Sequence, residues 1–116
     1  MKREVVPFND YYWQFYEAQT EKVREKIDYV LQIIRSVDRV PEKFLKHLGD
    51  GLYEVRIKQG SNIYRIFSFF DGGRPRQGSL VILLHGFQKK SQKTPKKELE
   101  RAKTLRAAYY EEKGIS

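Results

Sequence analysis

Residues 52–87 read as three consecutive β-strands, and that meander leaves the chain few folds to choose from. Residues 52–58 alternate strictly, with Tyr53, Val55 and Ile57 on one side and Glu54, Arg56 and Lys58 on the other. Asp50-Gly51 makes a first turn ahead of this strand and Gly60-Ser61-Asn62 a second one after it, and residues 63–70 follow, rich in β-branched and aromatic side chains. A third turn covers residues 71–78. Residues 80–87 are almost continuously apolar, which suits a strand inside the sheet with both faces covered. Such short connections make the three strands antiparallel.

Helices frame this meander. Residues 2–8 fit a short strand that Pro7 confines to a sheet edge or a strand end. Asn9 or Asp10 can cap a helix carrying the aromatic run Tyr11, Tyr12, Trp13, Phe15 and Tyr16, expected to pack in the core. Thr20 is the next cap, and Val23, Ile27, Val30, Leu31, Ile34 and Val37 fall at helical spacing as one apolar stripe. Pro41 at a first turn and Gly49 as a stop predict a short helix over residues 41–48. A last helix opens at Thr94 as cap and Pro95, with Leu99, Ala102, Leu105 and Tyr109 on its buried side. The order predicts one α+β domain over residues 1–116, with helices on one sheet face and polar side chains on the other.

The charge is unevenly distributed. The 116 residues carry a net +8. Residues 1–50 hold nine Lys/Arg against nine Asp/Glu, whereas residues 51–110 hold thirteen against four. A balanced first half and a cationic second half suggest a scaffold that presents a polyanion-binding face. The chain has no cysteine, which excludes disulfides, thiol catalysis and thiolate metal ligation. The two histidines, His47 and His85, lack metal-ligand spacing, and there is no glycine-rich phosphate loop, so neither metal nor cofactor is expected. The start of the chain has no signal-type apolar segment, and no run is long enough to cross a bilayer. A soluble cytoplasmic protein with no membrane partner is therefore expected.

Chemistry falls to cations on and after the strands. Arg56 lies on the polar side of its strand. Arg65 interrupts an otherwise apolar one, where a charge must reach solvent, an anion, or a salt bridge to Glu54 or Asp71. Lys89, Lys90, Lys93, Lys96 and Lys97 place five lysines in nine residues, starting where the interior strand emerges and ending at a helix start that favours anions. RNA cleavage needs a base for the ribose 2′-hydroxyl, cations for the pentacoordinate phosphate, and a proton for the 5′-oxygen. Arginine suits phosphate through its bidentate fork. A lysine becomes a base only where burial or neighbouring cations lower its pKa.

The segments Leu52-Tyr53-Glu54-Val55-Arg56, Tyr64-Arg65-Ile66-Phe67 and His85-Gly86-Phe87, followed by Lys89-Lys90-Ser91-Gln92-Lys93-Thr94-Pro95, resemble the RelE/ParE toxin superfamily. The HigB branch, phage-derived and tail-component-like, is the most similar, and the resemblance spans nearly the whole chain. It implies a microbial-RNase-type fold and a metal-independent endoribonuclease that cleaves messenger RNA in the ribosomal A site. It also implies a cognate helix-turn-helix antitoxin, which alone would bring the protein to operator DNA. Arg56 and Arg65 match two basic sheet positions of RelE-type toxins, and Lys89 or Lys90 matches an arginine after the last strand. The RelE pattern has lysine where Glu54 stands and a late tyrosine near Thr94 or Pro95. These departures leave the general base and acid open and make Lys93 a candidate substitute. Arg56, Arg65, Lys90 and Lys93 are thus the catalytic candidates, and Lys58, Lys89, Lys96 and Lys97 the RNA-binding ones. The superfamily also includes ParE-like toxins that inhibit gyrase without cutting RNA, and a degenerate relative that only binds nucleic acid is a third reading.

Overall fold

The computed structural model describes residues 2–72 and 79–114. In chain order the elements are β1 (Glu4–Pro7), α1 (Tyr11–Glu17), α2 (Glu21–Ser36), β2 (Leu45–Gly49), β3 (Leu52–Gln59), β4 (Asn62–Asp71), β5 (Leu80–Lys89) and α3 (Lys96–Glu112). The third turn expected over residues 71–78 lies largely outside the described residues.

The expected meander of β3, β4 and β5 is antiparallel throughout. The sheet is nevertheless mixed, in the order β1-β5-β4-β3-β2, because β1 joins β5 in parallel. That pairing closes off the far side of β5, so the most apolar strand is flanked on both edges. Pro7 stands at the last position of edge strand β1, where a missing N–H costs least.

α1 and α2 cover one face. Tyr12, Phe15, Val23, Ile27, Val30, Leu31 and Ile34 pack on Val55, Ile57, Tyr64, Ile66, Phe70, Val81 and Leu83. Thr20 caps α2 as expected, its hydroxyl accepting from the Val23 amide at 3.4 Å. The stripe ends one turn early: Val37 is extended at the C-cap and exposed.

Two expectations need correction. Residues 41–48 do not form a helix; after a turn they become edge strand β2, with Leu45 opposite Val55 and Lys46 opposite Glu54. A helix of eight residues has little stability of its own, whereas the free edge of β3 offers the same backbone a ladder of hydrogen bonds. Nor do the helices share one face. α3 crosses the opposite face, where Ala102 and Leu105 pack with Phe8, Leu52, Phe67, Phe69, Ile82 and Leu84. β4 and β5 are apolar on both sides, so a second layer must exclude water from the second side.

α3 covers only part of that face. It starts near the middle of the sheet and runs towards the end of β4, where Tyr109 donates to Asp71 at 2.7 Å. The hairpin end of β3 and β4 and the last residues of β5 are left open.

Candidate nucleic-acid interface

The open part of the face is where the charges meet. Residues directly opposite in an antiparallel pair share a face. Arg56 is opposite Arg65, Glu54 opposite Phe67, and Ile63 opposite Lys89. Two arginines in register would repel each other. Glu54 resolves this: its Oε2 lies 3.3 Å from Nε of Arg56 and 3.3 Å from Nε of Arg65. The Thr94 hydroxyl donates to the other carboxylate oxygen, Oε1, at 3.4 Å.

Glu54 is 2% exposed and Arg65 is 6% exposed, so the central ion pair is removed from water. Arg65 also donates through Nη1 to the Tyr64 carbonyl at 3.1 Å. Its Nε–H is close to Glu54 but finds no hydrogen-bond partner, so that contact is electrostatic. Burial lowers the Arg65 pKa, and Arg56 adds to this while Glu54 opposes it. The guanidinium nevertheless stays charged at neutral pH, as arginine does in proteins. Arg56 is less buried and is the more accessible of the two forks.

These side chains wall a cleft of about 730 Å³, with Arg56, Arg65, Lys89 and Lys90 supplying the charge and Ser61, Asn62 and Gln92 neutral polar groups. A smaller adjoining hollow of about 190 Å³ shares Arg56 and Arg65 and adds Lys43 and Lys58. Lys89 is half-buried. Its pKa is pushed down, first by burial and then by Arg65, against the attraction of Glu54 and with further repulsion from Arg56 and Lys46.

Among the catalytic candidates, Arg56, Arg65 and Lys90 therefore share one cleft, and Lys89 belongs with them. Lys58 reaches the adjoining hollow. Lys93 is exposed on the turn after β5 and is not part of the cleft wall, while Lys96 and Lys97 are exposed in the first turn of α3. Glu98 occupies that same turn and brings its own negative charge to the helix start.

Of the two partners that the sequence offers Arg65, Glu54 and Asp71, the structure pairs it with Glu54. That Glu54 is buried and also lies against Arg56 is not legible from local alternation, because it follows from the strand register and α3. Sequence reasoning missed two further neighbours. Thr94 was expected to cap α3, yet Pro95 holds the N-cap position without a side-chain cap and the Thr94 hydroxyl turns to Glu54. Lys46 sits across from Glu54 because β2 is a strand.

The architecture is α+β and RelE-like, with a cationic cleft beside a C-terminal helix. The family model described as Phage derived protein Gp49-like (DUF891) matches residues 14–107, and the chain belongs to this phage-derived, toxin-like family of the RelE type. The matched span runs from α1 through most of α3 and contains every charged residue of the cleft. No curated protein matches the chain. Among the described residues, no helix is long and apolar enough to cross a membrane.

Proposed function

We propose that this protein is the HigB-like toxin of a toxin–antitoxin pair, a metal-independent endoribonuclease that cuts messenger RNA in the ribosomal A site. The observation that carries this reading is the registered pair Arg56 and Arg65, joined by Lys89 and Lys90 around one open cleft. Two guanidinium groups and the Lys90 ammonium suit the phosphodiester, whose negative charge grows as the 2′-oxygen attacks phosphorus and the 5′-oxygen leaves. Lys89 lines the cleft beside both arginines, and burial and Arg65 push its pKa down, the direction that acceptance of the 2′-hydroxyl proton requires. Lys90, the more exposed cleft ammonium, is the group this reading assigns to give a proton to the leaving 5′-oxygen.

The partner in this reading is an antitoxin whose acidic segment covers the cleft and which itself carries the operator-binding helix-turn-helix. Co-expression with the adjacent gene should relieve growth arrest and yield a co-purifying complex.

The direct test is to map cuts on ribosome-bound messenger RNA. Wild-type protein should cleave within the A-site codon. Arg65→Ala should slow single-turnover cleavage by about 10²–10³, equivalent to roughly 3–4 kcal/mol of transition-state stabilisation. Arg65→Lys should recover only part, because an ammonium lacks the fork. Arg65→Ala breaks a buried ion pair and should also lower the melting temperature, a loss that Arg56, still beside Glu54, limits, so cleavage is compared at a temperature where the variant is folded. A folded Arg65→Ala protein cleaving at the wild-type rate would remove Arg65 from the reaction. Intact messenger RNA together with inhibited gyrase would replace this function with the ParE-like one.

A further inference from the structure

We infer that Glu54 is the positioning residue of this cleft: it touches no RNA, and its buried carboxylate fixes Arg56 and Arg65 as one preformed phosphate clamp. The inference rests on the ribonuclease reading for its kinetic consequence, and on geometry alone for the clamp. Both carboxylate oxygens are occupied from inside the protein. Oε2 serves the two Nε atoms at 3.3 Å each, and Oε1 accepts from Thr94 at 3.4 Å. With 2% exposure there is no path for a ribose hydroxyl to reach it, which separates this carboxylate from a general base. With its Nε held beside Glu54, Arg56 stays partly exposed and lines the cleft. The arrangement also explains how two like charges are tolerated directly across a strand pair.

Thr94 adds a link to α3. It immediately precedes the N-cap Pro95, so the carboxylate that orders the arginines also anchors the start of the helix. Four residues on, Glu98 binds His85 of β5 at 3.1 Å. The clamp is thereby held from β3, β4 and the α3 junction at once, a preorganisation that spares reorganisation during reaction.

The decisive variant is Glu54→Gln, which keeps the shape and removes the charge. Simple electrostatics predicts that it binds RNA more tightly, because a negative charge has left a cationic cleft. Positioning predicts the opposite sign in rate. Single-turnover cleavage of ribosome-bound messenger RNA should fall roughly 10²-fold while the half-saturating ribosome concentration stays level or drops. Glu54→Asp should recover part of the rate, and Thr94→Val, which keeps the carboxylate, should lose less than Glu54→Gln. Melting temperatures accompany each variant. If the folded Glu54→Gln protein cleaves at the wild-type rate, or if only its melting temperature falls, the positioning role is wrong. A second readout is independent of cleavage. The Arg56 and Arg65 Nε–H resonances of the wild-type protein should be resolved and rigid in nitrogen relaxation on the nanosecond scale, and Glu54→Gln should loosen both side chains. If wild-type protein cuts no messenger RNA, the ribonuclease reading falls, and these resonances still decide the clamp: unchanged rigidity in Glu54→Gln overturns it.

Discussion

At Gly86 the β-carbon of any other residue would fall 2.5 Å from ring carbons of Phe15. The cause is a bulge in β5. Between the pairs Ile66–Gly86 and Ser68–Leu83, Phe67 faces two residues, Leu84 and His85. Leu84 joins the cluster under α3, and His85 bonds to α3 through Glu98, so both turn to that face. Gly86 is thereby rotated towards α1, directly beneath Phe15. The ring is buried and cannot swing aside. Gly86→Ala should therefore cost about 1–3 kcal/mol in urea unfolding, as overpacking does. Adding Phe15→Leu should return part of it. A single variant within about 0.5 kcal/mol of wild type, the usual range for a neutral surface change, would show that the contact is not tight. The sequence shows a glycine after a histidine in an apolar strand, but not that this glycine is what lets the bulge sit against α1.

The elements that sequence patterns describe well are those whose signal is local. α2 shows a repeating apolar stripe and a threonine cap, and β3 alternates; both are found at the expected residues. Residues 41–49 show why such signals fail. Proline at the start and glycine at the end mark a helix, but Gly49 here has φ +100° in a tight turn leading into β3. Asp50 in that turn also has positive φ and is held by Arg106 of α3, which donates to its carbonyl at 2.6 Å. These constraints come from residues far along the chain. The placement of α3 was legible only in its apolar residues; which sheet face it covers depends on the two-sided apolarity of β4 and β5.

α3 is tied to β5 by His85, which gives that attachment a pH dependence. His85 is 2% exposed, its Nε2 is 3.1 Å from Glu98, and its Nδ1 has no hydrogen-bond partner. The neutral ring with hydrogen on Nε2 fits this site, whereas protonation would bury an unpaired N–H at Nδ1. Its pKa is accordingly lowered, by burial first and by Arg101 next, against the pull of Glu98. Because the unfolded chain binds this proton more readily, the stability that neutral His85 contributes is complete above the ordinary value of 6.5 and is lost as pH falls through the lower folded pKa. His85→Gln keeps a donor for Glu98 without titrating. Wild-type stability, measured by urea unfolding, should fall relative to this variant as pH drops below about 6.5. Parallel profiles between neutral and mildly acidic pH would rule out His85 as the source.

On the scale of the whole molecule, the charge asymmetry of the sequence becomes a spatial one. The cationic excess arises in residues 51–110, with thirteen Lys/Arg against four Asp/Glu, and the fold gathers cations from β3, β4 and β5 at the part of the sheet face that α3 leaves open. Sequence reasoning found the excess but spread it along the whole lysine run, through Lys97. The fold divides that run: Lys89 and Lys90 stay with the arginines, and Lys93, Lys96 and Lys97 continue onto an exposed turn and helix start. This division has a measurable consequence for binding to single-stranded RNA. With contacts from Arg56, Arg65, Lys89 and Lys90, the logarithm of affinity should fall against the logarithm of salt concentration with a slope of roughly −3. A non-cleavable 2′-O-methyl oligoribonucleotide allows the measurement without turnover. Lys90→Ala should weaken binding and reduce the slope by about 0.7, the share of one phosphate contact on a single strand. The double variant Lys96→Ala, Lys97→Ala should change the slope less than Lys90→Ala alone. If the double variant instead removes most of the salt dependence while Lys90→Ala leaves it intact, the RNA follows the start of α3 and not the cleft between the strands.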